Sequence, residues 1–300
     1  MLCLKRLPSF WLQQYALWQR RYFEIKPILC CTKENNMRTI FITGASTGLG
    51  KATAKLFQQN GWKVIATMRN PEKETELTQL PNVTVLGLDV TDVDQINRVV
   101  TQAIKQGVDL VFNNAGYGLV GPMEAISDEQ LVKQINTNLL GVLRVSQAFI
   151  PYFRERKEGM FITTTSMGGL FTFPLGSVYH ATKFALEGWS ESLSYEMALF
   201  NVVVKTVAPG GIATDFAGRS IDKPAHPLYD EVDRKLWALF DFDSFSSAEQ
   251  IAAIVYEAAT DGKNQVRYVA GNDANTLYAR YLEIGNEAFR RETGQNLLGI

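Results

Sequence analysis

The sequence predicts an α/β fold in which a doubly wound parallel sheet of about seven strands carries helices on both faces. Two observations support this prediction. From Met37 onward, short apolar runs typical of buried strands alternate with longer segments of helical period. The chain is also 46% hydrophobic over its 300 residues, which is enough to bury a sizeable core. We therefore expect residues 37–300 to form a single domain.

The individual elements follow from local signals in this part of the chain. Seven apolar runs are strand candidates: RTIFITG, KVIATM, VTVLGLDV, DLVFNNAG, GMFITTTS, NVVVKTVAPG and QVRYVAG. Three polar pairs resemble the capping boxes at which helices begin: Thr91 with Asp94, Ser127 with Gln130, and Ser247 with Gln250. Gly61 and Gly107 stand where helices should end, because glycine reaches the left-handed conformation of a helix terminus without steric cost. Residues 272–300 are predicted to form a C-terminal helical segment.

Charge and cysteine content exclude several classes of protein. The net charge is −1, of which residues 1–36 carry +4, so the remaining chain is mildly acidic at −5 and poorly suited to binding nucleic acid. All three cysteines lie in residues 1–36, which leaves residues 37–300 without a disulfide framework or a cysteine-based zinc site. His180 and His226 are too far apart in sequence to form a metal-ligand pair. We therefore expect no metal site.

Residues 1–36 are an N-terminal extension that three interpretations could explain. Gln13 and Gln14 interrupt its apolar stretch, which argues against a secretory signal. Its basic composition suits an organelle transit peptide better, although it is poor in serine and rich in bulky aromatics. The interpretation we favour is a non-catalytic stretch translated from upstream of a start at Met37. No run approaches the roughly 20 apolar residues of a membrane span, so we expect a cytoplasmic protein.

A glycine-rich turn, TGASTGLG at residues 43–50, follows the first predicted strand and leads directly into a helical pattern. Glycines let the backbone turn tightly and approach a pyrophosphate, and the N-terminus of the following helix favours its negative charge. A glycine triplet alone is equally compatible with an ordinary loop. The strand, turn and helix in this order favour a nucleotide bound by a Rossmann-type fold.

The end of the second strand bears on which nucleotide binds. In dinucleotide-binding folds, an acidic residue there holds the ribose hydroxyls of NAD(H). This chain has Met68 at that position and Arg69 next. A guanidinium pairs well with a ribose 2′-phosphate, so NADP(H) is favoured and NAD(H) remains open. The alternative interpretation of Arg69 is an ordinary solvated surface charge.

Tyr179 and Lys183 lie four residues apart at the start of a predicted long helix, which places both side chains on one face. A free tyrosine has a pKa of about 10, and lowering it to neutrality takes about 4 kcal/mol. A cation about 4 Å away supplies about that much at an effective dielectric near 20, so one lysine could suffice. Ser166 ends the fifth predicted strand, where a hydroxyl can donate to a developing oxyanion. The spacing of four alone is common by chance.

At this point the chain resembles the short-chain dehydrogenase/reductase family, in the subgroup with a Thr-Gly-x-x-x-Gly-x-Gly turn. The resemblance spans Met37 to about Gly271 and rests on seven motifs in order: TGASTGLG at 43–50, Asp89 with Val90, NNAG at 113–116, Asn138 in NTNLLG, Ser166, Tyr179 with Lys183, and PGGIAT at 209–214. It implies a hydride transfer between NADP(H) or NAD(H) and a carbonyl or hydroxyl group.

The resemblance also implies roles for single residues. Tyr179 would be the general acid/base, Ser166 would hold the substrate oxygen, and Lys183 would lower the pKa of the tyrosine and bind the nicotinamide ribose. Asn138 would hold a water that links Lys183 to solvent. The implied substrate contacts are Ser166, Met167, Tyr179 and Gly210. The implied cofactor contacts are Gly44, Ser46, Thr47, Gly48, Leu49, Gly50, Arg69, Asp89, Val90, Asn114, Ala115, Gly116, Tyr179, Lys183, Pro209, Gly210, Ile212 and Thr214.

Some of these implied roles have plain alternatives. Asp89 would accept from the adenine amine, but it is equally suited to cap the helix that follows Thr91. Ile212 and Thr214 would bind the nicotinamide carboxamide, whereas the preceding Pro209 and Gly210 also suit an ordinary loop. His180, between the two motif residues, is expected on the helix surface.

Residues 216–246 form a long insertion that suits a substrate lid. Its apolar residues and four others that follow predicted strands suggest a pocket for a bulky apolar alcohol or ketone: Leu228, Tyr229, Leu236, Trp237, Leu239, Phe240 and Phe242 in the lid, with Tyr117, Leu119, Met167 and Phe173. They could equally pack the lid onto the body of the protein.

Other functions remain as alternatives. A catalytically silent, NADP-binding regulatory protein of the same fold predicts loss of Tyr179, Lys183 or Ser166, and all three are present. An extended-type epimerase or dehydratase would have a shorter glycine spacing, and a carbon–carbon double-bond reductase a wider Tyr-to-Lys spacing. By the resemblance we expect a homodimer or homotetramer, paired through the helices that carry Asn138 and Tyr179.

Overall fold

The structure is a computed structural model that describes residues 37–213, 221–238 and 244–300. Seven strands of these residues form the main sheet, and they carry the apolar, β-branched runs that the sequence singles out. Their bounds are β1 Thr39–Thr43, β2 Lys63–Met68, β3 Val83–Gly87, β4 Leu110–Asn113, β5 Gly159–Thr164, β6 Val202–Pro209 and β7 Arg267–Ala270.

Helices connect these strands. Their bounds are α1 Gly48–Gln59, α2 Val93–Ile104, α3 Asp128–Ile135, α4 Gly141–Arg156, α5 Ser177–Ala198, α6 Asp230–Ala238, α7 Ala248–Thr260, α8 Asn272–Ile284 and α9 Asn286–Leu298. A π-helical turn, Asn136–Leu140, joins α3 to α4. Within the described residues, no helix is both long and apolar enough to cross a membrane.

The sheet has the strand order β7-β6-β5-β4-β1-β2-β3, and its neighbouring strands pair in parallel. The order reverses direction between β1 and β4, which is the switch point of a doubly wound fold. The predicted α/β class, with one Rossmann-type parallel sheet of seven strands, is confirmed. The carboxyl ends of the strands share one edge, where ligands bind in such sheets.

Two apolar layers hold the helices on the sheet, because side chains of a strand alternate between its faces. Ile40 and Ile42 of β1 pack into one layer with α1 and α7. Phe41 packs into the opposite layer with α2, α4 and α5. The strands are apolar on both faces because both faces are covered.

A third apolar cluster lies beyond the two layers. Met167, Leu170 and Phe171, which follow β5, pack there with Ala274 of α8 and Phe289 of α9. The rings of Phe171 and Phe289 have centroids 5.1 Å apart. The C-terminal helices therefore pack directly against the segment that follows Ser166.

Helix starts agree with the sequence in two places and differ in one. Ser127 and Ser247 form complete capping boxes with Gln130 and Gln250 at the starts of α3 and α7. The predicted box of Thr91 with Asp94 is wrong, because Asp92 caps α2 by accepting from the backbone of Gln95. The hydroxyl and backbone N–H of Thr91 donate instead to Asp89.

Candidate active site

Three side chains from two neighbouring elements meet at the carboxyl edge of the sheet. Ser166 lies just after β5, and Tyr179 and Lys183 lie in the first turns of α5. The hydroxyls of Tyr179 and Ser166 form a hydrogen bond. The ammonium of Lys183 lies 5.7 Å from the centroid of the Tyr179 ring. The sequence motifs thus converge on one cluster of two hydroxyls and one cation.

Burial governs the protonation of Tyr179. It raises the pKa of this phenol above its usual value, and the hydrogen bond with Ser166 opposes the increase. The expectation that Lys183 alone would bring this pKa near neutrality is not met in the chain by itself. The physical reason is that desolvation raises the pKa of this phenol by more than the hydrogen bond with Ser166 lowers it.

Lys183 is bound to the end of β5. Its ammonium donates to the carbonyl oxygen of Thr164 at 2.9 Å, and the residue is only 7% exposed. Burial lowers the pKa of Lys183 to about 8, and the negative charge of Glu187 opposes that decrease. Lys183 is therefore still mainly a cation at neutral pH, in a site where a small change of charge alters its protonation.

Asn138 lies in the π-helical turn and is almost fully buried. Its side-chain oxygen accepts from the backbone N–H of Tyr117 at 3.0 Å, and its side-chain nitrogen donates to the carbonyl of the same residue at 2.8 Å. The Asn138 amide thus fixes the backbone that follows β4. The implied role in a water relay stays a prediction.

His180 does not lie on the helix surface, and that expectation is wrong. The residue is 7% exposed, and both ring nitrogens are bound by the segment that follows Ser166. The sequence does not indicate the burial of His180, because the neighbouring Ala181 is exposed and the two residues resemble part of a solvated helix face.

Glu187 is a second residue that sequence reasoning missed. Its carboxylate accepts from the Thr165 hydroxyl at 2.5 Å and from the Nε of Arg267 at 2.7 Å. Because Thr165 lies between the Lys183 acceptor and Ser166, this carboxylate braces the strand end that forms the site. Its spacing of four from Lys183 could have placed it on the face of Tyr179 and Lys183.

The glycine turn has the geometry of an anion site. Gly44 and Gly48 have positive φ angles of 68° and 53°, which other residues adopt only with strain. A side chain on Gly50 would overlap the carbonyl oxygen of Gly44, so glycine lets α1 approach the turn. At the N-cap of α1, Thr47 makes no side-chain hydrogen bond, and the first turn has no acidic residue. The N–H groups of this helix end remain available to a phosphate.

Asn114, just after β4, braces this turn. Its side-chain nitrogen donates to the carbonyls of Thr43 and Gly44, each at 3.1 Å. The Thr43 hydroxyl in turn accepts from the backbone N–H groups of Asn114 and Ala115. Gly116 follows as an exposed residue beside Asn138. These contacts hold the two strand ends at which the order of the sheet reverses.

Comparison with known proteins identifies the family. A sequence model described as short chain dehydrogenase matches residues 38–225. An uncharacterized oxidoreductase of Schizosaccharomyces pombe is 38% identical over 209 residues, which are 68% of this chain and 89% of that protein. The chain belongs to the short-chain dehydrogenase family.

Further comparisons agree with this family. A 3-ketodihydrosphingosine reductase of Bacteroides thetaiotaomicron is 38% identical over 179 residues, 59% of this chain and 65% of that protein. A short-chain dehydrogenase of Streptomyces avermitilis is 30% identical, with a TM-score of 0.77 over 88% of this chain and 97% of that one. A Burkholderia cenocepacia short chain dehydrogenase, solved in complex with NADP, is 23% identical and has the same fold, with a TM-score of 0.70 over 88% of this chain and 98% of that one.

The remaining residues of the short-chain dehydrogenase motifs lie along the same edge. Asp89 and Val90 follow β3; the Asp89 carboxylate accepts from Thr91, and Val90 packs against Gly141 at the start of α4. The alternative that Asp89 caps the following helix is wrong, because Asp92 caps α2. The contact with Thr91 occupies one carboxylate oxygen of Asp89. Arg69 is exposed just after β2 and forms no ion pair with any residue that the structure describes.

Gly210 and Gly211 lie in a narrow place after β6. A side chain on Gly210 would overlap the carboxylate of Asp273, and one on Gly211 would overlap the ring of Phe245. Asp273, in the first turn of α8, accepts from the backbone N–H of Gly211 at 2.7 Å. Ile212 forms a short parallel pair with Ser246. Thr214 lies outside the described residues.

Only part of the predicted lid is described, residues 221–238 and 244–246, so Leu239, Phe240 and Phe242 lie outside. Ile221 and Asp222 pair with Gly118 and Leu119. The apolar side chains of the described part of the lid differ in burial: Leu236 is buried, whereas Leu228 is 83% exposed.

The four predicted pocket residues outside the lid all make packing contacts. Leu119 is fully buried, and Met167 and Phe173 belong to the third apolar cluster. Burial raises the pKa of Tyr117 to about 12, and its ring faces the ammonium of Lys133 at 5.5 Å. These four side chains therefore contribute to packing, and their contact with a substrate stays a prediction.

Proposed function

We propose that this short-chain dehydrogenase transfers a hydride between NADP(H) and a carbonyl or secondary alcohol group, with Tyr179 as general acid/base. The observation that carries this proposal is the hydrogen bond between the hydroxyls of Tyr179 and Ser166 beside the Lys183 ammonium. Two hydroxyls that meet at one point can both donate to a single substrate oxygen.

Each residue has a distinct task in the proposed reaction. In the direction of reduction, Tyr179 gives its phenolic proton to the carbonyl oxygen, while Ser166 donates a hydrogen bond to the same oxygen. The Lys183 cation stabilises the phenolate that remains. NADP(H), when bound, supplies or accepts the hydride. The raised pKa of Tyr179 suits this direction, because it keeps the phenol protonated at neutral pH.

The chain offers a place for the cofactor. The tight turn at Gly44 and Gly48 and the uncapped N-terminus of α1 fit a pyrophosphate. Lys183 and Ile212 would border the nicotinamide half, with Pro209 and Gly210 beside them. Asp89 keeps one carboxylate oxygen for the adenine amine.

NADP(H) is favoured by the exposed guanidinium of Arg69, and the Burkholderia relative of the same fold holds NADP. A 2′-phosphate would gain a charge-assisted hydrogen bond there. We expect Arg69→Ala to weaken NADPH binding by about 10- to 100-fold, from a loss of about 1.5–3 kcal/mol, and to leave NADH binding unchanged. Fluorescence titration of both cofactors tests this, with the exposed Lys73→Ala as control. Equal weakening of both cofactors, or none, would contradict the role of Arg69.

The substrate proposed is bulky and apolar, with the lid over residues 216–246. The Bacteroides relative is a reductase of 3-ketodihydrosphingosine, as its name states, and that substrate class supports the proposal. The homodimer or homotetramer and the cytoplasmic location remain parts of the same proposal.

A screen of aryl and long-chain alkyl ketones, and of the matching alcohols, tests the function. The full chain is assayed with NADPH and NADH, and with their oxidised forms. We expect turnover of apolar ketones that is faster with NADPH. Tight NADPH binding without turnover of any compound would instead favour the silent regulatory protein, and faster turnover with NADH would contradict the cofactor assignment.

A further inference from the structure

His180 makes two hydrogen bonds to the segment that follows Ser166. Its Nδ1 lies 2.7 Å from the carbonyl oxygen of Gly168, and the backbone N–H of Phe173 lies 3.1 Å from its Nε2. A carbonyl only accepts and an N–H only donates. The ring is therefore the neutral tautomer with its proton on Nδ1.

The chain leaves a fitted space for this ring. A side-chain carbon on Gly168 would lie 2.9 Å from Nδ1, and one on Gly176 would lie 2.8 Å from Nε2. Such distances are shorter than van der Waals contact. The two glycines thus admit the imidazole between the segment 168–176 and α5, and the ring cannot swing out of its position without leaving both partners.

One peptide group connects His180 to Ser166. The peptide between Gly168 and Gly169 accepts from the ring through its carbonyl, and its N–H donates to the carbonyl of Ser166 at 2.8 Å. The N–H of Gly168 also donates to the Ser166 Oγ at 3.0 Å. Because that oxygen already accepts this bond, its own proton is directed elsewhere, toward the Tyr179 hydroxyl.

We propose that His180 is a positioning residue: its neutral ring fixes the turn at Gly168 and thereby the direction in which the Ser166 hydroxyl donates. This inference rests on the proposed function, in which that hydroxyl holds the substrate oxygen. Protonation of the ring would place a second N–H against the N–H of Phe173 and break the hydrogen bond between Phe173 and His180.

The surroundings of His180 favour its neutral form. The Tyr179 ring lies 6.1 Å away between centroids, and Lys183 and Glu187 lie on the same helix, against Gly169. Among the residues that the structure describes, no carboxylate forms an ion pair with the ring. Burial accordingly lowers the pKa of His180.

NMR tests the tautomer directly in the full chain, because the sequence contains only two histidines. Long-range ¹H–¹⁵N spectra of histidine-labelled protein would be recorded from pH 5 to pH 8, with His226→Asn for assignment. We expect the Nδ1–H tautomer at pH 7, still neutral somewhat below pH 6.5. An Nε2–H tautomer, or an imidazolium at pH 7, would overturn the proposal.

Two variants test the consequence for catalysis with the fastest ketone of the screen. His180→Phe removes both nitrogens and should lower kcat by about 10- to 100-fold, with the Kd for NADPH unchanged. In the wild type, protonation of His180 should lower kcat at acidic pH. His180→Gln, which has a donor and an acceptor, should recover part of kcat and lack this decrease. Ala181→Gln, at the exposed neighbouring position, is the control.

The outcomes separate the two proposals. The role of His180 would be overturned if the Phe variant kept the full kcat of the wild type. It would also be overturned if kcat of the Gln variant decreased at acidic pH as much as that of the wild type. The Gln variant and the NMR spectra decide the matter even where the Phe variant does not fold. A wild-type chain without turnover of any ketone would overturn the proposed function, whereas the measured tautomer would still stand.

Discussion

Burial opposes charge on Tyr179 and Lys183, the two motif residues of the candidate site that titrate. It raises the pKa of Tyr179 and lowers that of Lys183 to about 8. The phenol therefore stays protonated at neutral pH, and the lysine is a cation that the site holds at a cost. The Thr164 carbonyl and the Glu187 carboxylate offset part of that cost.

The free energy of unfolding of the chain should depend on pH because the charge of Lys183 is buried. With a folded pKa of about 8 against 10.5 unfolded, the folded state binds fewer protons in this interval, so stability rises as pH increases through it. Lys183→Met removes the charge and should be more stable than wild type below pH 8, by at most about 3 kcal/mol. Urea unfolding from pH 7 to 10.5 measures the difference. It should shrink as pH rises, and a constant difference would contradict the assignment.

The sequence predicted Ser166, Tyr179 and Lys183 because they occur in order with the glycine turn and Asn138, whereas the Tyr-to-Lys spacing alone is common by chance. It did not predict His180 or Glu187 as site residues. Their roles depend on the backbone that α5 meets, namely the turn at Gly168 and the strand end at Thr165, and no local pattern encodes that encounter.

At the scale of elements, α5 is joined to the end of β5 by successive side chains. Tyr179, His180, Lys183 and Glu187 bind, in turn, Ser166, Gly168, Thr164 and Thr165. Three of the four recur at intervals of four residues, which is one face of a helix. The segment that would contact the substrate is therefore held from one rigid helix, as a precise site requires.

Glu187 should be the most costly of these contacts to lose. Glu187→Gln removes the buried charged partner of Arg267 and should destabilise the chain by about 2–3 kcal/mol in urea unfolding at pH 7. Glu191 lies 3.8 Å from the same guanidinium but is exposed, so Glu191→Gln is a matched control with an expected effect under about 1 kcal/mol. Similar effects of the two variants would show that the buried carboxylate is not a brace.

The start of a helix was predictable where only one residue could cap it. Ser127 and Ser247 cap their helices as their sequence patterns predict. At α2, two residues that can cap stand side by side, and Asp92 does so because Thr91 is bound by Asp89. The π-helical turn that buries Asn138 has no sequence signal, because it depends on the backbone of Tyr117.

For the whole molecule, the strand order explains how residues far apart in sequence reach one edge. The ends of β1, β4, β5 and β6 are neighbours or near neighbours in the sheet. The glycine turn, Asn114, Ser166 and Gly210 therefore come together although they span residues 44–210. The alternation of short apolar runs with segments of helical period predicted the class of fold. The motifs at the strand ends predicted which edge of the sheet carries the site.

Residues 37–300 should fold and bind the cofactor without residues 1–36. They contain the seven-stranded sheet and the candidate site residues. We expect a chain that begins at Met37 to keep the thermal midpoint of the full chain and its Kd for NADPH. Thermal unfolding with and without NADPH measures both. Loss of binding in the shorter chain would show that residues 1–36 contribute to the site.

The central claim is that the Tyr179 hydroxyl is the general acid/base. Its most direct test is NADPH oxidation by wild type and Tyr179→Phe with the fastest ketone, with NADPH binding titrated in parallel. Removal of the hydroxyl should lower kcat by about 10²- to 10⁴-fold and leave the Kd for NADPH unchanged, because the variant loses proton transfer and keeps the cofactor site. Equal turnover by the two proteins would contradict the account.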